Sequence, residues 1–272
     1  MTTLAAETRS LSITRIRRNL HAPVVGRQLY LCGKVESTNA TLSRLARSGA
    51  PEGTVVIAEA QTAGRGRLGQ PWFSPPDVNL YASVLFRGPL ALKEAPIFSL
   101  IGGLALAEAV RAAGATPAIK WPNDVLVDGR KVGGSLIECG AREDEVEYLI
   151  VGVGANLNVD LDALGAALGP AAADATSLRA ATGREVDRDA FAAAYLNALD
   201  AWAACYRGEG PGSVLEAWSQ LDILTGRQVE IRGAGDRFIG RVTGVDPSGW
   251  LVVQDALGER RTVSTEEIYI CD

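Results

Sequence analysis

Glycines surround two arginines in the stretch AGRGRLGQPWFSP, residues 63–75. Glycine lets backbone amides approach a ligand closely, because it has no side chain in the way. The guanidinium groups of Arg65 and Arg67 offer planar donors that match a carboxylate or a phosphate. The stretch therefore predicts a loop that binds an anionic group, although a solvated surface turn would use the same residues.

The glycine spacing also matches the dinucleotide-binding pattern G-x-G-x-x-G, and a predicted strand precedes it. That pattern requires a helix to open at its third glycine, so that a pyrophosphate meets the helix N-terminus. Here Pro71 and then Pro75-Pro76 follow, and prolines at these positions prevent a helix. We therefore exclude a Rossmann-type site. A protein-kinase loop is excluded as well, because no HRD or DFG motif follows.

A second polar cluster lies in KWPNDVLVDGRKVGGSLIE, residues 120–138. Its first five residues group a lysine, an amide and a carboxylate around one proline, and Lys131 precedes a pair of glycines. Such groups are suited to a nucleotide with a metal ion. A β-hairpin that turns at Asp128-Gly129 is the simpler alternative. It explains those two residues, but not the grouping around the proline.

Composition limits the classes of protein that need to be considered. The chain has 272 residues, of which 47% are hydrophobic and 22% charged, and its formal net charge is −5. This length allows one large domain, or one large and one small. The composition is typical of a soluble globular protein, and the mild acidity disfavours broad nucleic-acid binding. The longest apolar run, residues 95–107, is too short to span a bilayer, and we identify no signal peptide.

Cysteine and histidine usage narrows the chemistry further. The only histidine, His21, lies in an N-terminal segment that we expect to be mobile, which disfavours a Ser-His-Asp triad or a histidine-rich metal centre. The cysteines form no CxxC motif, which predicts reduced thiols in a cytoplasmic protein and neither a disulfide framework nor a zinc site. They are Cys32, Cys139, Cys205 and Cys271.

Strands and helices alternate after residue 28. Ser37 is a suitable N-cap for a helix through Ser48, and Gly49 suits the position after its end. A long helix is predicted from Pro96 to Gly114. Alternating or β-branched apolar residues predict strands at 29–35, 54–60, 80–86, 118–120, 125–127, 135–139 and 147–153.

Further helices are predicted in the second half of the chain. Asp187 or Asp189 would cap a helix that ends before Gly208, and a shorter helix follows over residues 213–221. The alanine- and glycine-rich segment 161–175 suits a loop or a short helix.

The two ends of the chain differ from its middle. Residues 1–28 form an N-terminal extension whose arginines (Arg15, Arg17, Arg18) and apolar residues predict one short amphipathic helix, too short for a complete helix-turn-helix domain. After Leu224, glycines separate short alternating runs, and Asp246–Gly249 (DPSG) is a strong turn signal. We therefore expect a main domain over residues 29–222 and a small β-barrel-like domain over residues 223–272.

Taken together, these motifs resemble those of the biotin protein ligases. The pairing of GRGR with KWPND is quite specific to that family, and the resemblance covers the chain from about residue 30 to 160. The matching stretches are ESTN at 36–39, AEAQTAGRGRLGQPWFSP at 58–75, NLYASVLF at 79–86, KWPNDVLVDGRKVGGSLIE at 120–138 and VGVGANLN at 151–158.

The resemblance implies an α+β fold: a mixed β-sheet catalytic domain flanked by helices, of the class II synthetase and biotin–lipoate ligase type, with a small SH3-like β-barrel at the C-terminus. It also implies the type that lacks an N-terminal DNA-binding domain. The oligomeric state stays open, with a homodimer as the form that family members often take. A cytoplasmic location is expected, with no specific DNA binding and no membrane association.

The implied activity has two steps. Biotin is activated with ATP and Mg²⁺ as biotinyl-5′-AMP, with release of pyrophosphate. The biotinyl group is then transferred to one lysine of a biotin carboxyl carrier domain of a carboxylase, and AMP is released. Closure of the arginine loop would keep water from the reactive adenylate.

The resemblance implies a role for each matching residue. The catalytic residues would be Arg67, Lys131 and Asp124. Nucleotide binding would fall to Arg67, Asn123, Lys131 and Asn156. Biotin binding would fall to Ser37, Thr38, Asn39, Gln61, Arg65, Gly66, Arg67, Lys131 and Gly134. No metal ligands are assigned, and Trp72 and Trp121 are expected to pack in the core or the pocket wall.

The consequence of one departure from the family pattern stays open, and so do two alternative functions. Leu68 stands where some family members have a further arginine, which bears on how tightly the adenylate is retained. A lipoate or octanoate ligase or transferase would share the fold without the paired motifs. A biotin-responsive DNA-binding regulator would need a basic recognition helix, for which only Arg15–Arg18 is available.

Overall fold

The structure is a computed structural model that describes residues 10–143, 145–232, 237–264 and 267–271. The helices are α1 (Ile13–Arg18), α2 (Thr38–Arg47), α3 (Ile97–Ala112), α4 (Leu161–Leu168), α5 (Leu178–Thr182), α6 (Arg188–Glu209) and α7 (Gly212–Ser219). The strands are β1 (Gln28–Val35), β2 (Thr54–Gln61), β3 (Leu80–Phe86), β4 (Ala118–Lys120), β5 (Asp124–Val127), β6 (Arg130–Arg142), β7 (Glu145–Ala155), β8 (Gln228–Arg232), β9 (Arg237–Val245), β10 (Leu251–Asp255), β11 (Arg260–Val263) and β12 (Glu267–Ile270).

A seven-stranded mixed sheet organises the first part of the chain, in the order β1-β2-β3-β7-β6-β5-β4. Only β1 and β2 run parallel, and the other neighbours are antiparallel. Its central strands alternate between two buried faces. On β2, Val55 and Ile57 join the larger core, whereas Val56 packs with Leu42 of α2 in a smaller cluster. Helices therefore cover both faces, as the α+β expectation requires.

Helix α3 is the central core helix. By length and composition alone, the stretch Leu92–Ala112 is apolar enough to cross a membrane, with a mean hydropathy of 1.4. However, 72% of its 18-residue apolar window is buried inside the protein. It packs against α6 and against β6 and β7. The apolar composition of α3 is thus explained by its burial between the sheet and α6.

The N-terminal residues from Ser10 onward pack against α6, contrary to the mobile segment that we expected around His21. Ile16 of α1 is fully buried. Arg15 forms an ion pair with Asp189 at the start of α6. The backbone N–H of His21 donates to Asn197 Oδ1 over 2.7 Å. A DNA-binding regulator would need the arginines of α1 to contact DNA, but Arg15 is paired with Asp189 within the protein.

Most predicted elements are confirmed, and the errors lie at their ends. Strands β6 and β7 are longer than predicted, because residues 133–142 of β6 pair with β7 and the first residues of β6 pair with β5. Asp187 caps α6 as predicted, but the helix runs through Gly208 and ends at Glu209. The C-cap is Gly210, whose φ of 79° suits glycine; Gly208 takes no such conformation, so the prediction chose the wrong glycine.

A second, five-stranded antiparallel sheet follows, in the order β11-β10-β9-β8-β12. This agrees with the expected small barrel-like domain; the predicted break points Gly233 and Gly235 lie outside the described residues. Hydrogen bonds join this part of the chain, and the segment that leads into it, to the main domain. The backbone of Ile119 in β4 bonds with Leu221 and Ile223, and Trp121 Nε1 donates to Gly249 O over 2.9 Å.

Candidate active site

A cavity of about 780 Å³ lies at one end of the main sheet. The arginine loop forms one wall, and β5, β6 and β7 form the floor. The segment from Leu164 to Ala175 forms a second wall, and Ile223, Tyr269 and Ile270 close a third. All twelve predicted site residues line this one cavity: Ser37, Thr38, Asn39, Gln61, Arg65, Gly66, Arg67, Asn123, Asp124, Lys131, Gly134 and Asn156.

One end of the cavity is polar but uncharged, and we call it the neutral end: Ser37, Thr38, Asn39 and Gln61. Ser37 caps α2 by accepting from the backbone of Ala40, so the start of that helix sets its position. Gln61, at the end of β2, accepts from the Thr38 backbone N–H over 2.9 Å and donates to Ser74 Oγ over 3.1 Å. These bonds hold the helix start and the strand end together.

Two glycines of β7 leave room for this end of the cavity. A Cβ atom at Gly152 would collide with the Asn39 side chain, and one at Gly154 would lie 2.5 Å from Trp72 Nε1. Any larger residue would therefore displace a wall of the cavity. Both glycines belong to the stretch VGVGANLN, but their roles could not be predicted, because Asn39 and Trp72 are distant from them in sequence.

The arginine loop is a compact turn. Gly66 N–H donates to Gln70 O over 2.7 Å, and Trp72 N–H donates to Gly64 O over 2.9 Å. No helix opens at Gly69: Arg67–Gly69 form a single 3-10 turn and the chain then extends, in agreement with the exclusion of a dinucleotide site. Beyond the loop, Tyr81 donates to Pro75 O over 3.0 Å, and burial raises the pKa of this phenol, so it stays a donor.

The opposite end of the cavity carries charge, and we call it the charged end: Arg65, Arg67, Asp124 and Lys131. Lys131 Nζ lies 2.6 Å from Asp124 Oδ1 and 5.5 Å from the centre of the Trp72 ring. The Arg67 guanidinium lies 5.4 Å from the centre of the Trp121 ring. Aromatic faces and one carboxylate thus orient the cations without burying them.

Arg65 reaches across the cavity mouth, where its guanidinium lies 3.7 Å from Glu138 Oε1. The Arg65 side chain is 52% exposed, so this contact is weak and water-screened. The loop is therefore tethered loosely on this side, which suits a segment that must let a ligand in.

Two buried amides lie beside the charged end. Asn156 donates to Thr176 O over 3.1 Å and accepts from Asn79 Nδ2 over 3.4 Å. Asn123 donates to Ser135 O, while its Oδ1 atom has no hydrogen-bond partner among the described residues. A buried acceptor of this kind is costly unless something donates to it, so the site fits a ligand with an N–H or O–H group here.

Gly134 is close to the paired side chains of the charged end. A Cβ atom there would lie 3.1 Å from Asp124 Oδ1 and 3.5 Å from Lys131 Cε. Glycine therefore lets the ion pair sit against the backbone of β6. As a whole, the cavity can hold a carboxylic acid with a neutral polar head beside a phosphate.

Comparisons with known proteins agree with this geometry. The profile of the Biotin/lipoate A/B protein ligase family matches residues 32–156. The biotin–[acetyl-CoA-carboxylase] ligase of Paracoccus denitrificans is 32% identical over 242 residues, which cover 88% of this chain and 99% of that protein. The bifunctional ligase/repressor BirA of Bacillus spizizenii is 32% identical over 257 residues, 94% of this chain and 78% of that one.

A solved structure of a related protein has the same fold as this chain. The biotin protein ligase from Aquifex aeolicus, in complex with biotin and ATP, superimposes with a TM-score of 0.72 at 27% identity, covering 90% of this chain and 98% of that one. The chain belongs to the biotin/lipoate protein ligase family, and within it to the biotin protein ligases.

Proposed function

We propose that this protein is an ATP-dependent biotin–protein ligase. It activates biotin as biotinyl-5′-AMP with release of pyrophosphate, and then transfers the biotinyl group to a lysine of a biotin carboxyl carrier domain, with release of AMP. The observation that carries this proposal is the single cavity with a neutral and a charged end. A ligand with a polar, uncharged head and a carboxylate tail spans such a cavity in one orientation.

Biotin occupies the neutral end with its ureido ring and the charged end with its carboxylate. Ser37, Thr38, Asn39 and Gln61 supply hydrogen bonds to the ring. The burial of Ser37, Thr38 and Asn39 makes those bonds selective. Arg65, Gly66, Arg67, Lys131 and Gly134 surround the tail and the acyl-adenylate.

The first step brings the biotin carboxylate against the α-phosphate of ATP, which are both anionic. Arg67 and Lys131 offset this repulsion and stabilise the charge at phosphorus, because fixed cations need no reorganisation during the reaction. Holding both reactants in one cavity supplies a further gain of roughly 7–11 kcal/mol. Asn123 and Asn156 hold the nucleotide beside these cations.

The magnesium ion belongs to the nucleotide in this proposal. Within the residues that the structure describes, no group of three or more His, Cys, Asp or Glu side chains is placed to bind a metal ion. Mg²⁺ bound to the ATP phosphates would supply charge that offsets the negative charge of pyrophosphate as it leaves. The cationic residues of the charged end fit such a complex, because they line the cavity and offer hydrogen-bond donors that match phosphate oxygens.

In the second step, the amine of the carrier lysine attacks the acyl carbon of biotinyl-5′-AMP, and AMP leaves. Asp124 holds Lys131 in place through the contact of 2.6 Å, and we assign it the further task of accepting the proton from the incoming amine. The arginine loop covers the mixed anhydride until the carrier arrives, which keeps water out.

The carrier is a biotin-carrying subunit of a carboxylase. We place the enzyme in the cytoplasm, because all four cysteines are free thiols, and we expect a homodimer that does not read DNA. We assign residues 29–222 to the catalytic domain, against which residues 10–28 pack, and residues 223–272 to a small domain that completes the third wall of the cavity.

Pyrophosphate release tests the proposal directly. The purified protein is mixed with Mg-ATP and either biotin, lipoate or octanoate, without any carrier. A stoichiometric burst with biotin alone, lost in Lys131→Ala, is the expected result. A burst with lipoate or octanoate would keep the fold and change the substrate, and no burst at all would refute adenylation.

A further inference from the structure

Ser83 lies directly behind the neutral end and is not one of the residues assigned above. It is on β3 and is fully buried. Its Oγ atom is 2.6 Å from Asn39 Oδ1 and 2.8 Å from Thr38 Oγ1. A single hydroxyl therefore contacts two of the side chains that face the cavity.

The direction of each bond follows from the number of protons available. The Asn39 amide contacts Leu136 O over 3.4 Å, and since a carbonyl only accepts, the amide nitrogen faces it and the amide oxygen faces Ser83. Ser83 has one proton, which it donates to that oxygen. The contact of 2.8 Å with Thr38 is then a hydrogen bond only if the Thr38 hydroxyl donates to Ser83.

Gln61 extends this chain on the other side. Its Oε1 atom accepts from the Thr38 backbone N–H over 2.9 Å, and its Nε2 atom donates to Ser74 Oγ over 3.1 Å. Ser74 in turn donates to Trp72 O over 3.0 Å. The remaining contact joins Thr38 Oγ1 and Gln61 Oε1 over 3.3 Å. It is longer, and it would need the Thr38 hydroxyl proton, which is already donated to Ser83.

Backbone carbonyls thus end the chain on both sides and set its direction throughout. Thr38 Oγ1 keeps a lone pair for the cavity, and Gln61 Nε2 keeps one N–H. The neutral end therefore presents an acceptor next to a donor. A cyclic urea offers the complementary pair, an N–H beside a carbonyl oxygen, whereas the hydrocarbon end of a fatty acid would leave both groups unpaired.

We infer that Ser83 is a positioning residue that makes the neutral end selective for a cyclic urea, by fixing which of its groups donate and which accept. The inference rests on the proposed function, since biotin carries such a urea. Without Ser83, the Thr38 proton is free to point at Gln61 or at the ligand, and Asn39 Oδ1 loses its donor.

The test is steady-state pyrophosphate release by Ser83→Ala in the presence of a biotin carboxyl carrier domain, which turns the adenylate over. It is run with biotin and with desthiobiotin, which keeps the cyclic urea and lacks the sulfur ring. The KM for both acids rises about tenfold, as expected for a lost or misdirected hydrogen bond. The KM for ATP and the kcat at saturation stay within about twofold, because the charged end is untouched. Ser83→Thr keeps the hydroxyl and restores most of the affinity.

Thr54→Val is the matched control. Thr54 is also fully buried on a neighbouring strand, and its hydroxyl donates to Pro51 O over 2.6 Å, away from the cavity. This variant loses stability without any change in KM for biotin. If Ser83→Ala does not fold, Ser83→Cys, which keeps the shape and donates poorly, replaces it.

The outcomes separate this inference from the proposed function. A wild-type protein without biotin-dependent release refutes the proposed function. An active wild type with an unchanged KM for biotin in Ser83→Ala refutes the inference alone. An equal rise in the KM for ATP also refutes it, because the role of Ser83 would then be structural.

Discussion

The two ends of the cavity differ in charge and in exposure to solvent. At the neutral end, the residues Ser37, Thr38 and Asn39 are only 4–6% exposed, and the side chains of Thr38 and Asn39 are linked by hydrogen bonds through Ser83. At the charged end, the paired side chains of Asp124 and Lys131 are 31–33% exposed. One end is closed and hydrogen-bonded before any ligand binds, and the other keeps its charges hydrated.

The difference teaches how selectivity and reactivity are divided. A buried neutral network discriminates strongly, because a wrong ligand leaves its groups without partners. Charges that remain in contact with water can accept a large anionic nucleotide without prior desolvation, and they gain strength only when the loop excludes water. Under the proposed function, the neutral end selects the acid and the charged end activates it.

The largest expected effect is at the charged end. Lys131→Ala removes the cation nearest to Asp124 and lowers the kcat for pyrophosphate release by about 10²–10³-fold, the usual loss for a group that stabilises transition-state charge. Biotin binding measured by calorimetry without ATP weakens far less. Lys93→Ala, at an exposed lysine, is the control. Equal losses in kcat and in biotin affinity would contradict the division.

At the neutral end, Gly152→Ala should have the next largest effect. The added methyl group pushes Asn39 toward the ligand, so the KM for biotin rises about 10–100-fold, as for overpacked sites. The KM for ATP stays nearly constant. Gly33→Ala is the matched strand glycine, since a Cβ there meets nothing within 4 Å. A normal KM for biotin in Gly152→Ala would mean that this end is less closed than the structure indicates.

The arginine loop links the two ends, and its tether is weak. Arg65→Ala removes the exposed contact with Glu138 and also a side chain that the proposed function places around the adenylate. The rate at which biotinyl-5′-AMP escapes rises by up to about fivefold, since both contacts are made by an exposed cation. Release is measured by chasing radiolabelled adenylate. Arg142→Ala, at an exposed arginine of β6, should leave that rate unchanged. A slower escape in Arg65→Ala would reverse the assigned role.

A change in ionic strength should have the smallest effect on substrate binding, and it distinguishes the charged end from the neutral end without any mutation. Raising the salt concentration from about 0.05 to 0.5 M screens exposed charges, so the KM for ATP rises about two- to threefold. The affinity for biotin, carried mainly by the buried neutral end, changes less. Parallel titrations of both substrates measure the two slopes, and a steeper slope for biotin would argue against the assignment of the ends.

Local patterns predicted much of this arrangement. The Ser37 cap, the strand before the arginine loop and the turn around Pro122 are all local in sequence, and the family resemblance placed them in one site. The contacts of Ser83 and Gly152 with α2 could not be predicted, because they join strands and a helix that are far apart in sequence. In isolation, Ser83 is an ordinary polar residue in an apolar strand.

The ends of elements were predicted less well, for a physical reason. Strands β6 and β7 continue beyond their apolar runs, because pairing with each other satisfies the backbone groups of polar residues. Gly208 lies inside α6, and the helix ends two residues later, where Gly210 adopts a positive φ as the C-cap. Such outcomes depend on partners that a short window of sequence does not contain.

The third wall of the cavity has a consequence for how this enzyme is made. Ile223, Tyr269 and Ile270 line the cavity, but the ribosome adds them long after Ser37, Arg67 and Lys131. A nascent chain thus has the neutral end and the cations in place before its cavity can be enclosed. Products shortened before β12 would lack Tyr269 and Ile270, so one side of the cavity would stay open to solvent although every proposed catalytic residue is present.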